Sequence, residues 1–488
     1  MAGCWEKRLK TTLKSQRHYH AGLRFSTAHR AALNLINGLR PQIAVRPVEL
    51  KNSKLYKETI VSASTIGSSS GLWTNNKRWV LGVVLLIAVT CAFFDRINIA
   101  VLFTDHEFLS TFGLVGQPAK AGLLMSAFLL AYGISSTFIS FVGDTAFGAR
   151  KTYITITVAW SVLMILMGMP SSFMLLILLR IILGVSEGPQ FSISAKLVSH
   201  WFPKREHARA NALWAVGSPI GAAIGFPFVI YLDYTFGWRS TFFVLGGLTL
   251  FIVLPLVLKF VHDQPDTRLG ISQAELDHIN AAEDVPAADS RIMEGPGASF
   301  IRDPNFWLVT LCFVCYLGLI WGFNSWLPSY FKVARHLDVR GIGFFSSLSF
   351  FMMFLGEILG SSFSDWLGKR AIVMFGSQLC MAVALGVALI SSNDMLSVGA
   401  IVVSLFFLGC TAPTSFALLL KILPKSVSST GFGVCNGIGN IVSSAVPLLV
   451  GLSVKESGSY NVGFSILVVL AAIGALSMVP IMFRRRDA

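Results

Sequence analysis

The chain has 488 residues, of which 54% are hydrophobic and only 13% are charged. A soluble domain carries about a quarter charged residues, so the composition excludes that class and favours a chain built from membrane-spanning helices. The formal net charge of +14 is concentrated at the start, since residues 1–78 hold fourteen Lys and Arg against three Glu.

Residues 1–75 form a basic, acid-poor leader before the first apolar run. Such a tail can bind nucleic acid or an anionic membrane surface, or can target a chain to an organelle. It has no apolar core followed by a cleavage site, so it is not a secretory signal. A disordered leader or a start codon placed too far upstream is favoured over a transit peptide, and no nucleic-acid partner is expected.

Apolar runs long enough to cross a bilayer as helices recur along the rest of the chain. Twelve spans are predicted, at about 79–101, 121–142, 152–170, 172–198, 208–232, 240–261, 304–331, 341–361, 371–391, 394–420, 428–453 and 458–483. The polar linker 262–302 separates an N-terminal half at 76–261 from a C-terminal half at 303–488. The predicted fold class is an all-α polytopic membrane protein with six helices in each half. Within the linker, Ser272 and Glu275 have capping-box spacing, which predicts a short surface helix.

Positive residues in short loops predict the orientation, because they collect on the cytoplasmic side. Six clusters fall on one side: Lys77/Arg78, Arg150/Lys151, Lys204/Arg205/Arg209, Lys369/Arg370, Lys425 and Arg484/Arg485/Arg486. Both termini are therefore expected in the cytoplasm and the chain in the inner membrane of a cell, or in an organelle membrane if the leader is a transit peptide. The loop 332–340, with Lys332, Arg335 and Arg340, is the exception on the opposite side.

Four ionisable residues stand inside apolar runs of the N-terminal half: Asp95, Arg96, Arg180 and Glu187. Charges in a bilayer are costly and usually mark a pathway or coupling site. Arg180 and Glu187 are seven residues apart and so share a helix face, and Arg180 is expected at the depth of Asp95 and Arg96. Two arginines facing a cavity make an anion site, and two carboxylates can each carry a proton. The alternative is a pair of satisfied ion pairs that hold this half together.

Uncharged polar residues in other spans can face the same cavity. Asn98 follows Asp95 by three positions, and Asn324 and Ser325 precede Pro328. Asn436 and Asn440 are one turn apart, so both amides can point the same way. Gly217, Gly221 and Gly225 form a small-residue face that predicts close helix packing.

Several motifs resemble a known family. "DWLGKR" (365–370) resembles the cytoplasmic loop signature of the major facilitator superfamily. The segments that resemble its anion:cation symporter family are "FFDRINIA" (93–100), "RIILGVSEGP" (180–189), "WFPKREHARAN" (201–211), "GWRSTFF" (237–243), "FNSWLPSYF" (323–331) and "GVCNGIGN" (433–440). The resemblance covers about residues 75–485, and this family includes bacterial galactonate, glucarate and hexuronate permeases.

The resemblance implies the major facilitator fold and proton-coupled uptake of an organic anion by alternating access. Asp95 and Glu187 match the carboxylates that take up protons, Arg96 the arginine that meets the substrate carboxylate, and Arg180 the arginine that links the site to those acids. Tyr132 matches a cavity-lining tyrosine, and Asn436 or Asn440 a substrate-contacting amide.

Candidate gate residues lie at the cytoplasmic ends of spans: Asp144, Arg150, Glu357, Asp365, Lys369 and Arg370. The first loop reads "GDTAFGARK", which shifts Asp144 by one position from the family pattern and weakens the gate expected there. Phe93 stands where sugar-acid members tend to carry a tyrosine. The loss of that hydroxyl favours smaller or aromatic carboxylates over polyols.

The hypothesis is therefore an importer of a small organic anion, a sugar acid or other carboxylate, by proton symport. An aromatic or dicarboxylate symporter, an anion exchanger and a non-transporting sensor remain as alternatives. Span 7 (304–331) contains no Lys or Arg, which argues against phosphate-linked antiport, and no H-E-x-x-H, nucleophile elbow or metal cluster indicates an enzyme. No cofactor or metal is expected beyond the proton gradient, and a monomer in the lipid bilayer is expected. The sequence leaves open the anion and the proton stoichiometry.

Overall fold

The structure is a computed structural model that describes residues 76–139, 147–280, 299–423 and 428–483. Within these ranges all regular structure is helical. Twelve segments are long and apolar enough to cross a membrane: Lys77–Leu102, Pro118–Phe138, Gly148–Met167, Phe173–Trp201, Arg209–Phe236, Trp238–Phe260, Pro304–Val333, Val339–Leu367, Arg370–Ile390, Asp394–Leu419, Gly431–Ser457 and Tyr460–Met482. Each lies within a few residues of a predicted run, so the prediction of an all-α protein with twelve spans is confirmed.

Four of these spans are not single helices. The fourth consists of Phe173–Glu187 and Gln190–Trp201, the fifth of His207–Ala215 and Gly217–Phe236, and the eleventh of Ser428–Ser443 and Val446–Ser457. The sixth contains the helices Trp238–Leu248 and Leu254–Phe260 around a π-helical turn at Thr249–Val253. Such irregularities are frequent at functional positions, and the break in the fourth span directly follows Glu187.

Two glycines of the fourth span bring it against the second span. A Cβ atom on Gly184 would lie 2.4 Å from the carbonyl oxygen of Phe128, and one on Gly188 would lie 2.7 Å from Cβ of Ser135. The Ser135 hydroxyl also donates to the Val185 carbonyl at 2.5 Å. Close approach of the two backbones places the charged face of the fourth span beside the aromatic face of the second.

The small-residue face of the fifth span packs on the first span. A Cβ atom on Gly217 would lie 3.0 Å from the carbonyl oxygen of Leu86, and one on Gly221 would lie 2.8 Å from that of Thr90. A Cβ atom on Gly225 would lie 2.5 Å from the side-chain Cδ1 of Ile97. The predicted small-residue contact is therefore confirmed, and it fixes the first span, which carries Asp95 and Arg96.

The two halves meet at the end of the bundle opposite the predicted cytoplasmic end, which we call the outer end. A Cβ atom on Gly122 would lie 2.5 Å from the Pro447 carbonyl oxygen, and one on Gly451 would lie 2.4 Å from that of Pro118. The backbone N–H of Leu448 donates to the Ser126 hydroxyl at 3.1 Å. The second and eleventh spans are thus in backbone contact at the outer end.

The predicted short linker helix is present at Gln273–Asn280. The Ser272 hydroxyl accepts from the Glu275 backbone N–H at 3.2 Å, as a capping box requires. The Glu275 carboxylate instead accepts from the backbone N–H groups of Lys77 and Arg78 at 3.2 and 3.1 Å. Glu275 therefore caps the first span. The sequence alone does not show this contact, because Glu275 and Lys77 are about 200 positions apart.

The outer loop that contradicted the charge rule carries cations with local partners. The Lys332 ammonium donates to the Thr104 carbonyl of the other half. The Arg335 guanidinium is 5% exposed and donates to the Tyr330 hydroxyl and to the Ser391 and Ala388 carbonyls at 2.7 to 3.1 Å. These two cations serve as structural links, so they carry little weight as topology signals.

Candidate functional site

An ion pair between the first and fourth spans lies at the centre of the candidate site. Arg96 donates from Nε to Oε2 of Glu187 at 3.1 Å, and its Nη2 lies at 3.1 Å from the same oxygen. The exposed fractions are 2% for Arg96, 1% for Glu187, 1% for Asp95 and 0% for Arg180. Four of the predicted site residues are thus buried together in the N-terminal half.

Asp95 is held by a residue that the sequence analysis missed. The indole N–H of Trp160, in the third span, donates to Oδ2 of Asp95. The other carboxyl oxygen, Oδ1, is buried without a hydrogen-bond partner among the described residues. A tryptophan in an apolar run has no sequence signal that separates this role from packing, because its hydropathy fits both.

Arg180 makes no ion pair with another described residue. Its Nη2 lies 3.4 Å from the thioether sulfur of Met125, and its Cζ lies 4.7 Å from the centre of the Phe128 ring. Its Nε and Nη1 atoms have no partner among the described residues. Burying a guanidinium with unpaired donors costs free energy. Arg180 is therefore a candidate to bind an external acceptor.

Arg96 is surrounded by aromatic rings from both halves. Its Cζ atom lies 4.8 Å from the ring centre of Phe93, 4.7 Å from Tyr132, 6.0 Å from Phe128, 5.8 Å from Phe191 and 5.7 Å from Trp321. Aromatic faces stabilise a desolvated guanidinium without occupying its N–H donors. The predicted Tyr132 belongs to this cage, whereas Phe128, Phe191 and Trp321 were not predicted.

Further polar atoms near the ion pair lack partners. Both side-chain amide atoms of Asn98 and of Gln190 are buried and unpaired among the described residues, as is Oε1 of Glu187. Gln190 and Glu187 line a narrow gap together with Trp160. Gln190 follows Glu187 by three positions on the fourth span, so helical spacing could have identified it. Buried polar groups are ordinarily hydrogen-bonded, so these exceptions make the region around the ion pair the candidate binding site.

The C-terminal half contributes residues from its first helix, Pro304–Val333. Asn324 donates from Nδ2 to the Ile320 carbonyl at 2.9 Å, while its Oδ1 is buried without a partner in the described part of the chain. Ser325 is directed to its own helix, since its hydroxyl donates to the Trp321 carbonyl at 2.6 Å. Asn324 therefore has an acceptor to offer a ligand, while the Ser325 hydroxyl proton is already donated.

The predicted amide pair of the eleventh span is joined internally. Asn440 donates from Nδ2 to the Asn436 carbonyl at 2.9 Å and lies 3.2 Å from Asn436 Oδ1. A Cβ atom on Gly133 would lie 3.3 Å from the Asn440 carbonyl carbon. The Asn440 backbone thus lies against Gly133 of the second span, the residue that follows Tyr132. Asn436 is one turn away and half-buried.

Among the described candidate gate residues, Asp365 and Arg370 are the pair joined by an ion pair. Asp365 lies 3.7 Å from Arg370, whose Nη1 also donates to the Ala417 carbonyl at 2.8 Å. Arg150 is bound through its backbone N–H to the Asp263 carboxylate at 2.9 Å and through Nη2 to the Leu258 carbonyl at 2.9 Å. Asp144 lies outside the described residues. Lys369 is exposed.

Glu357 is half-buried in the eighth span and has no hydrogen bond or ion pair with another described residue. A gate role for Glu357 therefore has no polar contact to support it in the described part of the chain. Asp365 has the nearby arginine instead, because the helix ends at Leu367 and the chain turns back there through Gly368, whose φ is +67°.

Comparisons with known proteins agree with this architecture. The profile of the Major Facilitator Superfamily matches residues 85–447 and 334–488. A probable sulfoacetate transporter of Cupriavidus necator is 29% identical over 413 residues, which cover 82% of this chain and 93% of that protein. A probable galactarate/D-glucarate transporter of Escherichia coli is 26% identical over 438 residues, which cover 85% of this chain and 95% of that protein.

Two solved structures share the fold. The inward open conformation of the xylose transporter from E. coli has a TM-score of 0.65 at 13% identity, covering 84% of this chain and 97% of that one. A bacterial homologue of the human lysosomal transporter Spinster has a TM-score of 0.63 at 17% identity, covering 83% and 94%. At these identities the likeness establishes the fold alone. The predicted major facilitator fold and the prediction of a transporter rather than an enzyme are confirmed.

Proposed function

This chain belongs to the Major Facilitator Superfamily, and from that premise we propose that it imports a small organic anion together with protons by alternating access. The observation that carries the proposal is the contrast between two buried arginines. Arg96 is paired with Glu187 at 3.1 Å, whereas Arg180 holds two donor atoms with no partner among the described residues. Such a site has one cationic group ready for an anion and a second that is released when Glu187 takes up a proton.

The coupling follows from charge compensation. Protonation of Glu187 removes the anionic partner of Arg96, and the freed guanidinium then binds the acidic group of the substrate. On the opposite side of the membrane, loss of that proton returns the carboxylate to Arg96, which displaces the anion. Asp95 is the second carboxyl group in the same site, with one oxygen unpaired among the described residues, so it can carry a further proton. Neither step needs a cofactor.

The substrate class is an organic acid with a carboxylate or sulfonate group. The relatives named above are described as probable transporters of sulfoacetate and of galactarate or D-glucarate. Each of these compounds has an acidic group that two arginines can bind. The cage around Arg96 is aromatic and Phe93 lacks a hydroxyl, so we propose a short acid with few hydroxyl groups. Asn98, Asn324 and Gln190 offer the remaining polar contacts.

The orientation belongs to the same proposal. The short loops rich in Lys and Arg face the cytoplasm, and the protein acts as a monomer in the inner membrane. In this orientation the second and eleventh spans are in contact at the external end, where Gly122 meets Pro447. Uptake from outside then requires these spans to separate.

Uptake into proteoliposomes tests the proposed function. Vesicles with purified protein are supplied with radiolabelled sulfoacetate, D-glucarate, D-galactonate or an aromatic acid, with and without an inward proton gradient. At least one anion should accumulate only with the gradient, and collapse of the gradient by a protonophore should release it. Vesicles with Arg96→Ala are the matched control and should show neither accumulation nor exchange. Equal uptake with and without the gradient would contradict proton symport and favour an exchanger.

A further inference from the structure

Trp321 presents an unused hydrogen-bond donor beside the buried arginine of the other half. Its side chain is 4% exposed, and its ring centre lies 5.7 Å from Cζ of Arg96. Its indole Nε1 is buried without a hydrogen-bond partner among the described residues. A buried tryptophan N–H ordinarily finds an acceptor, but no described residue supplies one to the indole of Trp321.

Other tryptophans of the same helix show the ordinary arrangement. The indole N–H of Trp307 donates to the Ile301 carbonyl at 2.7 Å, and that of Trp326 donates to the Pro447 carbonyl at 2.9 Å. Trp238 also has an unpaired indole N–H, but it lies at the outer end of the sixth span, away from Arg96. Trp321 therefore combines a free donor with a place at the ion pair.

Trp321 also contacts the N-terminal half through its ring. Its ring stacks on the Phe93 ring of the first span, with centres 6.5 Å apart and planes 13° apart. Asn324 lies one turn further along the same helix and keeps its Oδ1 unpaired among the described residues. Trp321 and Asn324 thus place an unpaired donor and an unpaired acceptor one turn apart on this helix, and Trp321 lies beside Arg96.

We infer that the Trp321 indole N–H binds the acidic group of the transported anion together with Arg96, so that a single carboxylate or sulfonate is held by both halves. Arg96 supplies the charge from the N-terminal half, and Trp321 supplies a directed donor from the C-terminal half. Since Arg96 is released only when Glu187 is protonated, this shared contact would also let the C-terminal half respond to the loaded site. The inference rests on the proposed transport of an organic anion.

Transport kinetics of Trp321→Phe test this role. Phenylalanine keeps a ring opposite Phe93 and removes the N–H, so KM for the anion that the wild type transports should rise about tenfold or more, as expected for a lost hydrogen bond to a charged group. The maximal rate should change far less. Trp321→His, which keeps a ring N–H, should recover part of the affinity. The matched control is Trp307→Phe, whose N–H is bound within its own half and whose removal should leave KM unchanged.

A second variant keeps the test decisive if phenylalanine disturbs folding. Benzothienylalanine at position 321 retains the shape of tryptophan and replaces only the N–H by sulfur, so the same rise in KM is expected. An unchanged KM in this variant overturns the inference while the proposed function stands. If the wild type itself accumulates none of the tested anions, the proposed function fails first, and the two failures are thereby distinguished.

Discussion

Two buried arginines of this protein have opposite surroundings. Arg335, at the outer end of the C-terminal half, uses Nε, Nη1 and Nη2 in hydrogen bonds to Tyr330 and to two backbone carbonyls, and it lies 3.6 Å from Asp394. Arg180, in the centre of the N-terminal half, contacts a thioether and an aromatic ring, and two of its nitrogens have no partner among the described residues. Both are almost fully buried.

The difference separates a structural charge from a functional one. A buried cation is tolerated when every donor is satisfied locally, as at Arg335, because the hydrogen bonds offset the cost of desolvation. A buried cation with free donors lowers stability and is retained for another reason. Burial alone therefore does not separate Arg335 from Arg180, whereas the unsatisfied donors of Arg180 make it the candidate for binding an anion.

The largest expected effect on transport comes from Arg180→Met. Methionine fills a similar volume without charge, so the anion loses two charge-assisted hydrogen bonds and the ratio kcat/KM should fall by about 100-fold or more. The thermal midpoint in detergent should stay the same or rise, because the substitution removes a desolvated cation. A sharp loss of thermal stability would show that Arg180 is a structural charge like Arg335.

Arg335→Met is the matched opposite of that variant. It removes the donors to the Tyr330 hydroxyl and the Ser391 carbonyl, while the Ala388 carbonyl keeps the Ser397 hydroxyl as a donor. The loss should lower the free energy of unfolding by about 3 kcal/mol. Thermal unfolding in detergent measures this loss. Transport per folded molecule should change little, and a specific rise in KM would place Arg335 in the transport path.

A smaller effect on local stability is expected at the linker helix. Glu275 caps the first span and accepts from Arg78 Nη1 at 3.1 Å. Glu275→Gln should weaken this contact by about 1–2 kcal/mol and speed hydrogen exchange in residues 273–280. Asp277→Asn is the control, because Asp277 lies exposed on the same helix. Equal exchange in both variants would show that the cap does not hold the linker.

The smallest effect concerns pH at Glu206. Partial burial would raise the pKa of Glu206, but hydrogen bonds from Arg78 and His278 outweigh it and hold the pKa below its usual value. The carboxylate therefore contributes stability that is complete above the ordinary glutamate pKa of about 4.3 and is lost as the pH falls through the lower folded-state value. Hydrogen exchange near residue 206 should rise only in that acidic range. Glu206→Gln should remove this pH dependence.

The spans could be predicted from the sequence, because a helix needs about 20 consecutive apolar residues to cross a bilayer. Few other structural elements require an apolar run of that length. Sequence reasoning also located Arg96, Arg180 and Glu187, since charge in an apolar run is rare. It missed Trp160 and Trp321, because an aromatic residue in such a run is consistent with packing, lipid contact or a directed N–H. The cap by Glu275 was missed as well, because it joins segments that are distant in sequence.

In the proposed coupling, a proton replaces Arg96 as the partner of the Glu187 carboxylate, and Glu187→Gln tests this exchange most directly. Glutamine resembles the protonated acid, so proteoliposomes with this variant should show no proton-driven accumulation while exchange of internal for external anion continues. Glu107→Gln is the control, since Glu107 is exposed at the outer end and its change should leave both activities intact. Accumulation that persists in Glu187→Gln would contradict the account.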